Sequence, residues 1–210
     1  MLVICPSRGR PHNIDQLLDC WATTDATAEL VICIDDDDPT AGDYPAGVMV
    51  GPRKSLTGWI NHVAALNVDT HDVVGMIGDD VRPRTAGWDA ELAGSLKPMG
   101  IVYGNDLHQS EALPTHPFLD MEIVRRLGYM APPTLPHLYI DNFWKVIGER
   151  LGTLTYRPDV ILEHMHPHAG KAPMDEGYRQ VNARHAYKDG QRAFADYMTT
   201  QFAHDIAKLT

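Results

Sequence analysis

The sequence predicts an α/β fold: a single domain in which helices flank a mostly parallel central sheet, followed by a helical C-terminus. Short apolar runs rich in β-branched residues alternate with longer segments in which apolar residues recur at helical spacing. Several of these runs end abruptly in polar or acidic loops. The chain has 210 residues, 44% hydrophobic and 22% charged, which is typical of one globular domain.

The first half of the chain alternates regularly between strands and helices. In order, we expect a strand at 2–5, a helix at about 12–24, strands at 30–34 and 48–50, a helix over 56–66 and a strand at 73–77. Strands that alternate with helices of this length imply right-handed crossovers and a parallel sheet covered on both faces.

The second half is less regular. The predicted elements are a strand at 101–103, a helix at 120–127 in a Pro- and His-rich passage, a helix at 141–151, a strand at 160–162 and helices from 175 onward. The last helices carry an apolar stripe of Phe194, Tyr197, Met198, Phe202, Ile206 and Leu209. We expect this stripe to pack on the domain, with a homodimer seam as the alternative.

Composition excludes several classes of function. A net charge of −10 argues against a broad nucleic-acid surface, which needs clustered Lys and Arg. Cys5, Cys20 and Cys33 are odd in number and lie in apolar segments, which indicates buried thiols in a reducing compartment. No apolar run approaches the length of a signal peptide or a membrane span. We therefore expect a cytoplasmic protein without a membrane partner.

Three polar loops follow predicted parallel strands, at residues 6–10, 35–38 and 79–84. Ligands of such sheets bind beyond the carboxyl ends of the strands, so these loops should surround one crevice. Asp79 and Asp80 suit a hard divalent cation, because Mg²⁺ and Mn²⁺ are commonly held by one or two carboxylates plus substrate phosphates. An isolated Asp-Asp pair would more often be a simple turn; the companion loops favour the cation site.

The acidic run at 35–38 is suited to accept hydrogen bonds from ribose hydroxyls or a base, although a solvated turn explains at least two of its four carboxylates equally well. Basic residues that could counter phosphate charge occur on the first loop and before the helix that begins near Ser55. They are Arg8, Arg10, Arg53 and Lys54, with Arg82 and Arg84 after the acidic pair.

The segment EHMHPHAGK, residues 163–171, follows the last predicted strand. Neutral imidazole is a common ligand of Mn²⁺ or Zn²⁺, and Lys171 would bring positive charge to a phosphate. The sequence leaves open whether His164 or His166 faces the crevice. A zinc site made of His alone competes with this interpretation, but the spacing matches no strong zinc pattern.

Asp141 opens the helix in LYIDNFW, residues 138–144. As an N-cap it would satisfy backbone N–H groups. As a general base it would take a proton from an acceptor hydroxyl, which is typically worth about 10²- to 10⁴-fold in rate. The two roles are compatible.

Taken in order, the segments resemble the glycosyltransferases of the GT-A fold, and among them small family 2-like enzymes that include bacteriophage-encoded members. They are CPSRGRP, VICIDDDDP, a basic turn before a helix with Asn61, MIGDDV, AGWD, LYIDNFW and EHMHPHAGK. The resemblance covers residues 1 to about 175. It implies a Rossmann-like GT-A domain with a donor half at 1–105, an acceptor and catalytic half at 106–174 and C-terminal helices at 175–210.

The resemblance also implies a nucleotide diphosphate-sugar donor, in first place a UDP-sugar, with Mn²⁺ or Mg²⁺ as cofactor. It implies contacts to the nucleotide-sugar by Pro6, Ser7, Arg8, Asp35, Asp37, Lys54, Asn61, Asp79 and Lys171. Asp80 and His164 would bind the metal, and Asp141 would be the base of an inverting reaction. By analogy with phage members, the acceptor would be a modified DNA base or a virion protein, and the enzyme would act in the host cytoplasm.

The chain departs from the family pattern at two places. Gly78 stands where the DXD-type triplet usually begins with an acidic residue, and Asp141-Asn142 stands where inverting members often have Glu-Asp. Two other functions are therefore weighed. One is a sugar-phosphate nucleotidyltransferase, although its Gly-rich signature loop is missing from the sequence; the other is a non-catalytic module that binds a nucleotide or carbohydrate.

Overall fold

Eight strands form one sheet in the computed structural model, which describes residues 1–210. In chain order they are β1 (Leu2–Pro6), β2 (Glu29–Asp35), β3 (Met49–Gly51), β4 (Val73–Met76), β5 (Val81–Pro83), β6 (Ile101–Asn105), β7 (Pro117–Asp120) and β8 (Leu154–His164). The helices are α1 (Pro11–Thr23), α2 (Leu56–Leu66), α3 (Trp88–Ser95), α4 (Met121–Leu127), α5 (Ile140–Leu151), α6 (Glu176–Val181), α7 (Arg184–Thr200) and α8 (Phe202–Leu209).

The strand order is β3-β2-β1-β4-β7-β6-β8-β5. The first four strands are parallel to one another, as predicted. β7 was not predicted; it lies between β4 and β6 and is antiparallel to both. β5 was not predicted either, and it pairs antiparallel with β8. The last strand is longer than expected, since it begins at Leu154 instead of residue 160.

Both faces of the sheet are buried, which explains why its central strands are continuously apolar. In β1, Leu2 and Ile4 enter the larger core, while Val3 and Cys5 enter the smaller core on the opposite face. Helix α2 covers the first of these faces and α1 the second. The two cores contain 25 and 15 buried residues. Residues from both halves of the chain contribute to each core, so neither half has an independent core of its own.

The C-terminal helices pack on the larger core. Tyr197, Ile206 and Leu209 are buried in it, and the other residues of the predicted stripe pack against it. Asp205, which is 0% exposed, accepts hydrogen bonds from the hydroxyls of Tyr197 and Tyr129 and so fixes these helices to the domain. The stripe therefore packs on its own domain as expected, and the alternative of a dimer seam is not supported. No helix is both long and apolar enough to cross a membrane.

Candidate active site

Asp79 and Asp80 lie in the turn that joins β4 to β5, at the carboxyl edge of the sheet. The turn is closed by a hydrogen bond of 3.2 Å from the N–H of Val81 to the carbonyl of Gly78. Both side chains are nearly buried, Asp79 at 5% and Asp80 at 7% exposure. Neighbouring carboxylates removed from water need donors or a cation to balance them. The two find different partners.

Asp79 connects the first loop with the start of α1. It accepts hydrogen bonds from the Ser7 hydroxyl at 2.7 Å, Arg10 Nη1 at 3.3 Å and Asn13 Nδ2 at 3.4 Å. Burial, and after it the charge of Asp80, raise the pKa of Asp79. Its oxygens are used within the protein, so Asp79 holds the loop after β1 in place instead of offering a free ligand position.

Asp80 faces His164, with 3.3 Å between Asp80 Oδ2 and His164 Nε2. The pairing of β5 with β8 sets this distance, since Met165 N–H donates to the carbonyl of Asp80 at 2.8 Å. Burial alone would raise the pKa of Asp80, but His164 holds it below its usual range. Burial lowers the pKa of His164. The nearby carboxylates of Asp106 and Asp80 outweigh this effect and raise the pKa to about 9. A bound cation would replace this proton.

Asp106 lies behind His164 and is buried, at 2% exposure. Its Oδ1 accepts the N–H groups of residues 108–110 at 2.7–2.9 Å, and its Oδ2 accepts the Thr115 hydroxyl at 2.9 Å. Oδ2 also lies 3.9 Å from His164 Nδ1. A carboxylate on the far nitrogen of an imidazole orients the other nitrogen towards a metal. Asp106 is therefore placed to keep His164 Nε2 pointed at Asp80.

Asp141 lies in the first turn of α5 and is half-buried. It is not the N-cap that the sequence predicts: Tyr139 occupies that position, with a left-handed φ of 70°. Helix α7 packs closely against the start of α5. A Cβ added at Gly190 of α7 would lie only 3.0 Å from the Tyr139 ring. Burial raises the pKa of Asp141 to about 7, with smaller opposing effects from His164 and Asp106. This carboxylate can therefore exchange a proton near neutral pH.

Asp35 ends β2 and is buried among hydrogen-bond donors. Its Oδ1 accepts Lys54 N–H at 3.0 Å and Trp59 Nε1–H at 2.8 Å, and its Oδ2 accepts Arg8 Nη1 at 3.0 Å. The Lys54 ammonium lies 4.4 Å from the centre of the Trp59 ring. The structure thus brings Arg8, Asp35 and Lys54 together, and both oxygens of Asp35 already accept hydrogen bonds from the protein.

The rest of the acidic run divides into an exposed and a buried part. Asp37 is exposed and pairs with Arg8 and, at 3.5 Å, with Arg53. Asp38 is buried, and its oxygens accept the N–H and hydroxyl of Thr40 at 2.9 and 2.8 Å. Asp38 is therefore a loop-forming residue, whereas Asp37 lies at the surface of the crevice.

Two predicted site residues have structural partners. Lys171 pairs with Glu163 at 2.9 Å and lines the cavity described below. The Asn61 side chain accepts the N–H groups of Met130 and Ala131 at 2.8 and 3.0 Å and donates to the carbonyl of Ala131 at 2.8 Å. Its amide is committed to that loop, so its assignment to the nucleotide-sugar stays a prediction.

A cavity of about 360 Å³ opens beside Asp80, and the segment after β8 covers it. Asp175 caps α6 and pairs with Arg10 through two hydrogen bonds of 2.8 and 2.9 Å. The Arg10 guanidinium lies 4.3 Å from the centre of the Tyr178 ring, and the Tyr178 hydroxyl donates to Asp80 Oδ2. The oxygen that faces His164 thus already has a protein partner.

The donor set fits a hard divalent cation that shares its coordination with a ligand. Asp80 and His164 supply a carboxylate and an imidazole that face each other. No group of three or more His, Cys, Asp and Glu side chains is arranged to hold a metal by itself. Mn²⁺ and Mg²⁺ in nucleotide sites have this character, since phosphates and waters complete the octahedron.

Several residues of the site were not singled out from the sequence, among them Asp106, His116 and Tyr178. Asp106 carries a usable signal, because it is a carboxylate directly after the strand 101–105. His116 reaches the site only because β7 inserts between two central strands, and Tyr178 only because α6 folds back over β8. Burial lowers the pKa of His116 to about 3, so its ring is neutral at pH 7.

Solved glycosyltransferase structures have a similar fold. The mannosyltransferase PcManGT of Pyrobaculum calidifontis, solved with GDP-Man and Mn²⁺, matches with a TM-score of 0.57 at 16% identity, over 99% of this chain and 77% of that chain. Glucosyl-3-phosphoglycerate synthase of Mycobacterium tuberculosis, solved with Mn²⁺, UDP and phosphoglyceric acid, matches with 0.62 at 14% identity, over 91% and 77%. TarS of S. aureus, solved with UDP, matches with 0.57 at 11% identity, over 96% and 72%.

The sequence itself matches no protein-family model and no curated protein. At such low identities the structural likeness establishes the fold alone. The chain has the GT-A fold, and the predicted fold class is confirmed.

Proposed function

We propose that this protein is a metal-dependent glycosyltransferase that moves a sugar from a nucleoside diphosphate-sugar to a hydroxyl acceptor. One observation carries the proposal. On a GT-A fold, Asp80 and His164 face each other at 3.3 Å, and the charges of His164 and Asp106 act on Asp141, whose pKa is raised by burial to about 7. A cation site for a diphosphate and a poised base are the two requirements of this reaction.

The donor is proposed to bind over the loops of the first half. Arg8, Asp35 and Asp37 form its nucleoside side together with Pro6 and Ser7, which end and follow β1. Neighbours of similar fold were solved with GDP-Man or with UDP, which supports a nucleoside diphosphate donor without choosing its base. We favour a UDP-sugar.

The diphosphate is proposed to lie between Asp80 and Lys171. Both line the cavity at this edge. Asp80 and His164 would hold Mn²⁺ or Mg²⁺, and Lys54 and Lys171 would add positive charge. When bound, such a cation stabilises the charge that develops on the leaving diphosphate. This accounts for an anionic donor in a chain of net charge −10.

Asp141 is proposed to be the base of a direct displacement. Its carboxylate takes the proton of the acceptor hydroxyl, the hydroxyl oxygen forms a bond to the anomeric carbon, and the bond from that carbon to the diphosphate oxygen breaks. The displacement inverts the configuration at that carbon. Because Asp141 lies in the first turn of α5, we propose that the acceptor binds over residues 106–174 and the donor over residues 1–105.

The test is a thermal-shift screen of the protein with nucleoside diphosphates and nucleotide-sugars, with and without Mn²⁺. A ligand that binds the folded state raises its melting temperature by mass action. We expect a shift with one nucleotide that requires Mn²⁺ and is lost in Asp80→Ala. Asp69→Ala, which removes an exposed carboxylate far from the site, should retain it. If a donor is identified in this way, product analysis with that donor would search for the acceptor. The absence of any Mn²⁺-dependent shift would overturn the proposal.

A further inference from the structure

His116 is a buried imidazole whose nitrogens have no partner. The residue is 6% exposed, and neither Nδ1 nor Nε2 makes a hydrogen bond. It lies directly before β7, whose first residues pair with the end of β4, so it stands at the carboxyl edge of the sheet. Buried polar groups without partners are rare in native proteins, and each one calls for a role that offsets its cost.

The ring lies at the candidate metal site. Its centre is 4.9 Å from the centre of the His164 ring, and the two planes are inclined by 72°. A Cβ built on Gly78 would collide with Asp80 Oδ1 and would lie 3.8 Å from His116 Cε1. Asp80 and His116 therefore share the space that a side chain at position 78 would fill.

Gly78 adds no side chain of its own to this space. The next residue, Asp79, is engaged by Ser7, Arg10 and Asn13. The turn thus leaves Asp80, which faces His164 and accepts the Tyr178 hydroxyl, as its carboxylate for a cation. His116 brings an unused electron-pair donor to the space beside Asp80.

We propose that His116 is a third protein ligand of the divalent cation, beside Asp80 and His164. The inference rests on the proposed function, because it assigns a further ligand to the same site. No three side chains converge on one point as they stand, so the proposal includes a turn of the His116 ring towards the cation when the cation binds.

This ligand set has a consequence for metal choice. Mg²⁺ prefers oxygen ligands, whereas imidazole suits Mn²⁺ and the later transition metals. Two imidazoles with one carboxylate therefore favour Mn²⁺ over Mg²⁺. The preference should depend on His116 specifically.

The experiment measures Mn²⁺ bound to the whole protein in the presence of UDP. The free Mn²⁺ signal in electron paramagnetic resonance gives the affinity, and pulsed spectra of the bound ion count its imidazole nitrogens. We expect two nitrogen couplings in the wild type and one in His116→Gln, with a loss of Mn²⁺ affinity of about tenfold or more. Competition with Mg²⁺ should show a change of less than about threefold in Mg²⁺ affinity, since that ion gains little from imidazole.

Two controls separate a ligand from a core residue. His71→Gln removes an imidazole that pairs with Glu29 away from the site, and it should leave both couplings in place. His116→Leu replaces the unpartnered ring with an apolar side chain, so it should keep or raise the melting temperature of the metal-free protein while it loses Mn²⁺ affinity like His116→Gln.

The outcomes distinguish this inference from the function on which it rests. If the wild type binds Mn²⁺ with UDP but shows one nitrogen coupling, and His116→Gln and His116→Leu bind it equally well, His116 is a core residue and the inference is wrong while the proposed function stands. If the wild type binds no Mn²⁺ with any nucleoside diphosphate, both fail together.

Discussion

The two halves of the carboxyl edge hold buried polar groups in different ways. In the donor half, Asp35, Asp38 and Asp79 are buried and each accepts at least three hydrogen bonds from the protein. In the proposed catalytic half, Asp106 is satisfied in the same way, whereas His116 has no partner at all and His164 Nδ1 has none within hydrogen-bonding distance.

The groups whose hydrogen bonds are satisfied shape the site, whereas the groups without partners are available to bind a ligand. A carboxylate whose oxygens are all satisfied is fixed in geometry and has little capacity left for a ligand. A buried imidazole or carboxylate that lacks partners is destabilising until a cation or substrate reaches it. The proposed donor half is therefore preorganised, and in the proposed reaction the groups that change partners are the imidazoles of the other half.

Asp80 lies between the two halves, and its loss should have the largest effect. We expect Asp80→Ala to lower the transfer rate by about 10⁴-fold or more, because the cation that stabilises the leaving diphosphate loses its carboxylate ligand. Initial rates at saturating Mn²⁺ measure this, with Asp69→Ala as the matched control. Activity within tenfold of the wild type would mean that the cation binds without Asp80.

Asp141 should give the next effect, and its signature is a pH profile. A base acts in its ionised form, so activity should be low below the pKa of about 7 and should rise to a plateau above it. Asp141→Asn should lose about 10²- to 10³-fold in kcat/KM while its affinity for the nucleotide is unchanged, and its residual rate should not follow this rise. A wild-type profile that is flat between pH 6 and 8 would remove Asp141 as the base.

The same substitution should change stability in opposite directions in the two halves. Asp35→Asn places an amide against the Trp59 and Lys54 N–H donors and loses the Arg8 pair, so it should lower the free energy of unfolding by about 1.5–3 kcal/mol. The pKa of Asp141 is raised in the folded protein, so the stability it contributes is greatest at low pH and is lost as pH rises through about 7.

Asp141→Asn should therefore raise the free energy of unfolding at pH 8 by about 1–2 kcal/mol and leave it nearly unchanged at pH 4. Urea titrations of both variants at the two pH values give the measurement. If both substitutions destabilise the protein equally at pH 8, the carboxylate of Asp141 is as well hydrogen-bonded as that of Asp35.

The sequence predicted the regular part of this molecule and the residues whose chemistry is local. Hydrophobic periodicity located most helices and the parallel strands, whereas the cation site indicated by a carboxylate pair after a strand stays a prediction. The strands β5 and β7 were missed because they contain three and four residues, with Arg82 and Pro83 in one and Pro117 in the other. Such short strands are specified by the neighbours they pair with rather than by their own pattern.

The predicted N-cap of α5 was wrong for a related reason. Asp141 follows two apolar residues and is a good N-cap by type, but packing of Tyr139 against α7 sets the helix start two residues earlier. Asp106 and His116 likewise reach the site through their contacts with His164, which lies far along the chain. Local signals can propose a functional residue, whereas the tertiary contacts decide whether its polar atoms are used or left free.

The smallest expected effect tests how far the Asp80 carboxylate is available to bind a cation. The Tyr178 hydroxyl donates to Asp80 Oδ2, the oxygen that faces His164, so a cation must compete with that hydrogen bond. One such bond is worth about 0.5–1.5 kcal/mol, and Tyr178→Phe should therefore tighten Mn²⁺ binding by about two- to tenfold. Tyr187→Phe, which removes an exposed hydroxyl bonded to Asn182, is the control and should leave the affinity unchanged. A weaker affinity in Tyr178→Phe would mean that the hydroxyl belongs to the cation-bound site, and Asp80 would then be a group whose partners are already arranged, like those of the donor half.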